Sequence, residues 1–230
     1  FMKKIKPIVS FIIGTRPEAI KLAPVILEFQ KCKLINTKVI LTGQHRDLIK
    51  PIFELFEIEA HLNLNIMRES QSLTDITYRI LRGLSEEFKK NRPKLIFVQG
   101  DTTSAFAGAL AGFYENINIA HIEAGLRTED IYNPFPEEAN RRLIAQIATI
   151  NFAPTLNAKN NLLNSGIVNH IEVTGNTVID ALLNIVNKQK LDEITKETKL
   201  KRYILVTVHR RENWGINLEE IAYGLKKILE

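Results

Sequence analysis

Short apolar runs alternate along the chain with longer segments whose apolar residues recur every three or four positions. Near-continuous apolar runs of roughly four to eight residues are typical of strands that are buried on both faces of a sheet. Such runs predict strands at Ile8–Ile13, Lys38–Thr42, Leu95–Gln99, Ile117–Ile122, Thr149–Phe152 and His170–Val173. The helical periodicity predicts helices at Glu18–Lys31, Asp47–Phe56, Leu73–Asn91, Thr103–Tyr114, Glu137–Ala148, Thr155–Leu163 and Val178–Val186.

This alternation predicts an α/β fold, a Rossmann-like doubly wound parallel sheet. Pro17 and Pro136 stand where first helical turns begin, which suits a residue without an amide hydrogen. Pro24 lies inside the first predicted helix, where it predicts a kink or a break.

The organisation of the chain changes after residue 186. A polar, Lys/Glu-rich stretch over 187–202 predicts a linker, an apolar run at Tyr203–Val208 predicts a strand, and a helix follows from about Asn217 to the last residue. One strand–loop–helix unit cannot bury its own apolar face. The sequence therefore predicts an N-terminal Rossmann-like domain over 1–186 and, over 203–230, the first β-α unit of a second domain that is truncated at Glu230.

Composition and charge limit where the protein acts and what kind of molecule it binds. Hydrophobic residues make up 45% of the chain and charged residues 25%, as in ordinary globular proteins. No apolar run approaches the roughly 20 residues of a membrane span, and the N-terminal apolar run is too short for a signal peptide. A single cysteine, Cys32, fits a reducing compartment, so we expect a cytoplasmic protein. The net charge of +5 is scattered, which argues against nucleic acid and favours an anionic small molecule.

Three carboxylates lie at positions that favour proton-transfer chemistry. Asp101 and Glu123 each follow a predicted strand, and Glu137 opens a predicted helix. Open α/β sheets bind ligands at the carboxyl ends of their strands. Several acids at that edge are what general acid/base catalysis needs.

Cations follow the predicted strands as well. Those that could bind phosphate are Arg16, Lys21, Arg127, His209 and Arg211. Arg16, between a strand and a helix N-terminus, suits an anion site best. Arg141 is expected to pair with Glu137, four residues earlier on the same helix face.

Cofactor sites are not indicated. Gly14 is not followed by G-x-G-x-x-G, and no G-x-x-x-x-G-K-[ST] occurs. His121 and Glu123 have metal-ligand chemistry but no third partner, so we expect His121 to be a buried strand histidine. The sequence predicts neither cofactor nor metal.

Taken in order, several segments resemble the non-hydrolysing UDP-N-acetylglucosamine 2-epimerases. They are Gly14–Lys21, Gly43–Asp47, Gly100–Thr103, His121–Thr128, Phe135–Arg141, Thr174–Asp180 and Val206–Asn213. The longer block from Glu123 to Arg141 resembles this branch more than the hydrolysing one, which releases free N-acetylmannosamine.

The resemblance implies two Rossmann-like domains in a GT-B-type arrangement, with the active site between them. It implies reversible elimination of UDP across C1–C2 of the sugar, which gives UDP-N-acetylmannosamine for surface polysaccharide. The family is commonly dimeric, so a homodimer is expected. The family's catalytic acids match Asp101, Glu123 and Glu137, and which one removes the proton stays open. His209 matches the residue linked to the UDP leaving group, while Arg16 and Lys21 match charged positions of the first loop and helix.

Two departures from the family concern regulation and length. Some bacterial members bind a second substrate molecule as an activator through positions aligned with Gln44, Asp47, Ser70, Glu137 and Arg211. A glutamine is usual at the Asp47 position and an arginine at the Ser70 position, so allosteric activation is not expected despite Gln44. In the family, Ser-Gly-Gly and Glu-Glu motifs that bind uridine and ribose lie on later strands of the second domain, beyond the part that these 230 residues resemble. We therefore expect little or no epimerase activity from this chain alone.

Two alternatives stay open at this stage. A glycosyltransferase of the GT-B type would share the architecture, but it needs an acceptor and leaves the three acids without a role. A non-catalytic sugar-nucleotide-binding module is the other, because the expected truncation would remove much of the nucleotide site.

Overall fold

The computed structural model describes residues 6–43, 46–68, 70–188, 204–208 and 215–229. The chain divides into two compact units, 1–189 and 190–230. In the second unit, helix α8 spans Ile216–Leu229, close to the predicted helix. Residues 204–208 form neither strand nor helix, so the strand predicted at Tyr203–Val208 is wrong in the part that the structure describes. An apolar run becomes a strand only when neighbouring backbone pairs with it, and no such pairing occurs among the described residues.

The first unit is built on a parallel sheet whose strand order is β3-β2-β1-β4-β5-β6-β7, which confirms the predicted doubly wound fold. The strands are β1 (Ile8–Ile13), β2 (Asn36–Leu41), β3 (Leu62–Asn63), β4 (Leu95–Gln99), β5 (Asn118–Ile122), β6 (Ile150–Ala153) and β7 (His170–Val173). The two-residue edge strand β3 was not predicted, because it is too short to produce an apolar run.

The helices begin and end within about two residues of their predicted bounds. They are α1 (Arg16–Lys31), α2 (Arg46–Phe56), α3 (Leu73–Lys90), α4 (Thr103–Tyr114), α5 (Glu137–Ile147), α6 (Leu156–Asn164) and α7 (Thr177–Lys188). Helix α1 continues through Pro24, so of the two predicted outcomes the break is wrong, while a kink stays a prediction. Leu22 and Ile26 on either side of Pro24 are fully buried, and this packing offsets the lost backbone hydrogen bond.

Apolar side chains pack on both faces of the sheet. Phe11 lies in the cluster under α1 and α2 and stacks on Phe97 with ring centroids 4.7 Å apart. Ile12, the next residue, points to the opposite face and packs with Leu84 and Phe88 of α3. Burial of both faces explains why the strand sequences are continuously apolar instead of alternating. Within the described ranges, no helix is long and apolar enough to cross a membrane.

The centre of the sheet is its topological switch point. Strands β1 and β4 are neighbours there, and the chain continues outward from them in opposite directions. Ligands of such sheets bind in the crevice at the carboxyl ends of these strands. The loops after β1 and β4 contain Gly14 and Gly100. A Cβ on Gly14 would lie 2.1 Å from Ser104 Oγ, so only glycine allows the first loop to approach α4 this closely.

Candidate active site

Asp101 follows β4 at this crevice and is fixed by helix α5. Its Oδ2 lies 2.5 Å from Arg141 Nη2, and its backbone carbonyl accepts a 2.9 Å hydrogen bond from Asn140 Nδ2. The preceding residue, Gly100, has φ +71°, which lets the chain turn sharply at the end of the strand. The turn and the α5 contacts together orient the Asp101 carboxylate.

The environment of Asp101 favours its protonated form. Burial is the largest effect that raises the pKa of Asp101. Arg141 opposes this rise, while the negative charges of Glu137 and Glu123 add to it. The charges of the other two predicted acids therefore act on Asp101 across the same edge of the sheet. A carboxyl whose pKa is raised in this way suits a group that both takes and returns a proton.

Glu123 is held by donors from three parts of the fold. Lys21 Nζ of α1 lies 2.6 Å from Oε2, and Asn176 Nδ2 donates to Oε1 at 2.9 Å. Gln99 Nε2 at the end of β4 also donates to Oε2. The backbone of Glu123 has φ +66°, a left-handed conformation that costs an ordinary residue about 1–3 kcal/mol. Strain of this kind persists where surrounding contacts over-determine the position, as these donors do.

Glu137 is the first residue of α5 and is half-buried. The predicted ion pair between Glu137 and Arg141 is wrong. Arg141 instead pairs with Asp101 and, at 3.4 Å, with Glu138 Oε2. Helical spacing permits either partner, and burial decides between them, because the fully buried Glu138 needs cations to offset its lost hydration. Within the described part of the chain, Glu137 makes no ion pair.

Glu138 was not singled out from the sequence. Arg142 Nε donates to its Oε1 at 2.6 Å, and the amide of Thr128 donates to its Oε2 at 3.0 Å. Together with Arg141, these contacts tie α5 to the loop that follows Glu123. The sequence offered one signal for a buried acid, which is the adjacent pair Glu137 and Glu138 at the start of a helix. When such a helix packs on the sheet, one of the two side chains points inward.

The predicted cations differ in their contacts and in their exposure to solvent. Lys21 contacts Glu123, and Arg16 is exposed in the first turn of α1. Arg127 is half-buried and donates from Nη1 to the carbonyl of Leu126 at 2.8 Å. Burial lowers the pKa of Arg127, and Glu138 opposes this effect.

The remaining predicted residues cannot be placed. His209, Arg211 and Gln44 lie outside the described residues, as does the side chain of Asp47. The described part of the site therefore consists of its carboxylates and the cations of the first unit.

His121 is a buried strand histidine, as predicted. It is 0% exposed, and its Nε2 lies 2.7 Å from the carbonyl oxygen of Gly100. Burial lowers the pKa of His121 to about 4, so the ring is neutral near pH 7 and Nε2–H donates to Gly100. Among the described residues, no three metal-ligating side chains are grouped together.

Comparisons with known proteins identify the family of this chain. The family model described as UDP-N-acetylglucosamine 2-epimerase matches residues 27–230. A UDP-N-acetylglucosamine 2-epimerase of Neisseria meningitidis serogroup A is 46% identical over 226 residues, 94% of this chain and 61% of that protein.

Solved structures show the same fold. The UDP-GlcNAc 2-epimerase of Neisseria meningitidis bound to UDP-GlcNAc has a TM-score of 0.78 and 49% identity, over 84% of this chain and 53% of that one. The enzyme of Methanocaldococcus jannaschii in complex with UDP-GlcNAc and UDP has a TM-score of 0.81 and 38% identity, over 96% of this chain and 62% of that one. The chain spans about 60% of the length of the curated relatives that it matches. On the family match over most of its length, the chain belongs to the UDP-N-acetylglucosamine 2-epimerase family.

Proposed function

We propose that this chain provides the acid/base part of an enzyme that interconverts UDP-N-acetylglucosamine and UDP-N-acetylmannosamine. The observation that carries the proposal is the convergence of Asp101, Glu123 and Glu137 at the carboxyl edge of the sheet, where the charges of the other two acids act on Asp101. Membership of the family and relatives with UDP-GlcNAc bound support the choice of substrate.

The reaction proceeds by elimination and re-addition. The hydrogen at C2 of the sugar is not adjacent to a carbonyl, so simple deprotonation is very unfavourable. A carboxylate therefore takes the C2 proton while the C1–O bond breaks, and the bonding electrons leave with the UDP oxygen. A C1=C2 double bond remains. A proton then returns to C2 on the opposite face, and the UDP oxygen adds back to C1.

The described contacts support distinct roles for two of the acids. Asp101, whose pKa is raised by burial, suits the group that gains and loses a proton at C2. Glu123 is fixed in orientation by Lys21, Gln99 and Asn176, which suits a group that must face one side of the sugar ring. Glu137 completes the set as the third catalytic acid.

Cations balance the departing diphosphate in this proposal. Arg16, Lys21 and Arg127 of the first unit would bind substrate together with Arg211, and His209 would act on the UDP leaving group. Gln44 matches one position of the allosteric subsite that some family members have. Allosteric activation is not expected in this chain.

The proposal also covers the domain organisation and the oligomeric state of the protein. Residues 1–186 would form an N-terminal Rossmann-like domain, 187–202 a linker, and 203–230 the start of a second Rossmann-like domain. The protein would act as a cytoplasmic homodimer that supplies a sugar nucleotide for surface polysaccharide. Because binding energy from the nucleotide helps to position the reacting carbon, we expect little or no turnover from the 230 residues alone.

A chimera tests the proposal. The 230 residues would be joined to the part of the Neisseria relative that lies beyond the match, and incubated with UDP-N-acetylglucosamine. The expected product is a mixture of the two sugar nucleotides, separated by anion-exchange chromatography. Release of free N-acetylmannosamine and UDP as the only products would contradict a non-hydrolysing reaction. The chimera carrying Asp101→Asn is the matched control and should be nearly inactive.

A further inference from the structure

Glu18, in the first turn of α1, is a buried acid that the reaction above does not use. It is 1% exposed. Its Oε2 accepts hydrogen bonds from the amides of Gly14 at 2.6 Å and Thr15 at 2.7 Å. Thr102 Oγ1 donates to its Oε1. The amides of Gly14 and Thr15 and the hydroxyl of Thr102 all act as donors to this carboxylate. Burial raises the pKa of Glu18, and these hydrogen bonds oppose the rise and favour the ionised form.

These donors lie where nucleotide-binding sheets usually bind phosphate. Unpaired amides at a helix N-terminus, together with the helix dipole, attract anions, and in Rossmann-type sheets this end binds the pyrophosphate. In this chain the amides of Gly14 and Thr15 are already used by a side chain from the same helix. The absence of G-x-G-x-x-G after Gly14 agrees with this, because no phosphate has to approach the backbone there.

Glu18 also reaches the loop that carries Asp101. Thr102 is the N-cap of α4, and its side chain accepts a hydrogen bond from the amide of Ala105 at 3.1 Å. Its hydroxyl hydrogen is directed to Glu18. The Glu18 carboxylate therefore joins the loop after β1 to the loop after β4 across the switch point, one residue away from Asp101.

We propose that Glu18 is the built-in anion of the α1 N-terminus. It occupies the place of a phosphate at the amides of Gly14 and Thr15, keeps the phosphates of the substrate from these amides and positions the loop of Asp101. Only the statement about the substrate rests on the proposed function. A diphosphate would then be bound by side-chain cations and not by the backbone amides of the first loop.

Chemical rescue of the 230-residue chain tests the proposal. Glu18→Ala removes the carboxylate and leaves its three donors, so the thermal unfolding midpoint should fall by about 5–10 °C. Sodium formate at about 100 mM should restore roughly half of this loss or more, relative to sodium chloride at the same ionic strength. Glu28→Ala, on the same helix but at an exposed ion pair with Lys31, is the matched control. It should shift the midpoint by at most about 1 °C and gain no more from formate than wild type does.

The opposite results would overturn the proposal. One such result is that formate raises the unfolding midpoint of Glu18→Ala no more than it raises the midpoint of wild type. If Glu18→Ala does not fold, Glu18→Gln replaces it, since this change keeps the shape and removes the charge. The Gln variant should also unfold at a lower temperature, and a midpoint equal to that of wild type near pH 7 would show that no anion is needed.

A measurement on the wild-type chain addresses the substrate. Titration with UDP, followed by amide NMR, should leave the resonances of Gly14 and Thr15 in place. Their movement in parallel with saturation would overturn the exclusion of phosphate from this helix end. If UDP moves no resonance of the 230 residues, which lack the family's uridine-binding motifs, the same titration on the chimera decides whether phosphate reaches these amides, while the formate experiment decides the role of Glu18.

Discussion

The guanidinium of Arg141 lies 2.5 Å from the carboxylate of Asp101 and, on its other side, 3.4 Å from the buried carboxylate of Glu138. One cation of α5 thus connects an acid of the candidate site to an acid of the interior. Its side chain is 12% exposed, so solvent screens the contact with Asp101 only weakly. The charge on Asp101, in the loop after β4, therefore depends on a residue of helix α5.

Removal of this cation should make Asp101 easier to protonate. In Arg141→Gln the effect that opposes burial is lost, so the pKa of Asp101 should rise further. The measurement is an NMR pH titration of the ¹³C-labelled Asp101 carboxyl in wild type and variant. Arg142→Gln is the control, because Arg142 also contacts Glu138 but makes no contact with Asp101 in the described structure. Equal Asp101 midpoints in wild type and Arg141→Gln would contradict the account.

Asp101 should also reduce stability at neutral pH. Its folded-state pKa lies above the unfolded value of 3.8, so the stabilisation that it gives below pH 3.8 is lost as the pH rises through the folded pKa. Asp101→Asn avoids this loss. The variant should have a higher unfolding midpoint than wild type at pH 7, and the advantage should shrink towards pH 4.

Asp75 provides a control of opposite sign for this experiment. Hydrogen bonds from Ser72 lower the pKa of Asp75, so its contribution to stability is present above pH 3.8 and is lost in acid. Asp75→Asn should therefore lower the midpoint at pH 7, and the deficit should shrink as the pH falls. An Asp101→Asn curve that runs parallel to the Asp75→Asn curve would show that burial does not dominate at Asp101.

His121 should make the fold sensitive to acid. Its pKa is 6.5 when unperturbed and about 4 in the folded chain, so the free energy of unfolding should fall by up to about 3 kcal/mol as the pH decreases through this interval. His121→Gln should lose much less stability between pH 7 and pH 4.5, as measured by urea unfolding. His170→Gln, which replaces an exposed histidine that lies 2.9 Å from Glu172, is the matched control. Equal slopes for wild type and His121→Gln would contradict a buried, neutral His121.

Much of the fold was readable from the sequence because of its burial pattern. Strands covered on both faces have to be apolar throughout, so Leu95–Gln99 was predicted with its observed bounds. The carboxyl ends of parallel strands meet at one edge, so the proximity of Asp101 and Glu123 also followed. The partner of Arg141 could not be predicted, because Glu137 and Glu138 both lie within helical reach and only burial distinguishes them. The donors to Glu123 come from distant elements, and no local pattern identifies them.

A glycine after Glu123 provides a test of packing beside the site. Gly125 has φ +88°, and a Cβ there would lie 2.2 Å from the carbonyl oxygen of Ala158. Gly125→Ala should lower the free energy of unfolding by about 3 kcal/mol or more, from backbone strain and a clash with main chain. Gly166→Ala, at φ +75° with open space around the Cβ, should cost only about 1–2 kcal/mol. Urea unfolding of the two variants would show comparable losses if the contact with Ala158 were unimportant.

Solvent exchange at C2 of the sugar tests the central claim most directly. The chimera with the Neisseria relative would be incubated with UDP-N-acetylglucosamine in D₂O, and the sugar nucleotides would be analysed by mass spectrometry and ¹H NMR. The account predicts one deuterium at C2 of the epimer, with its rate of formation reduced by at least about 100-fold in Asp101→Asn. Formation of UDP-N-acetylmannosamine that retains the original C2 hydrogen would contradict proton transfer to solvent-exchangeable carboxylates at this sheet edge.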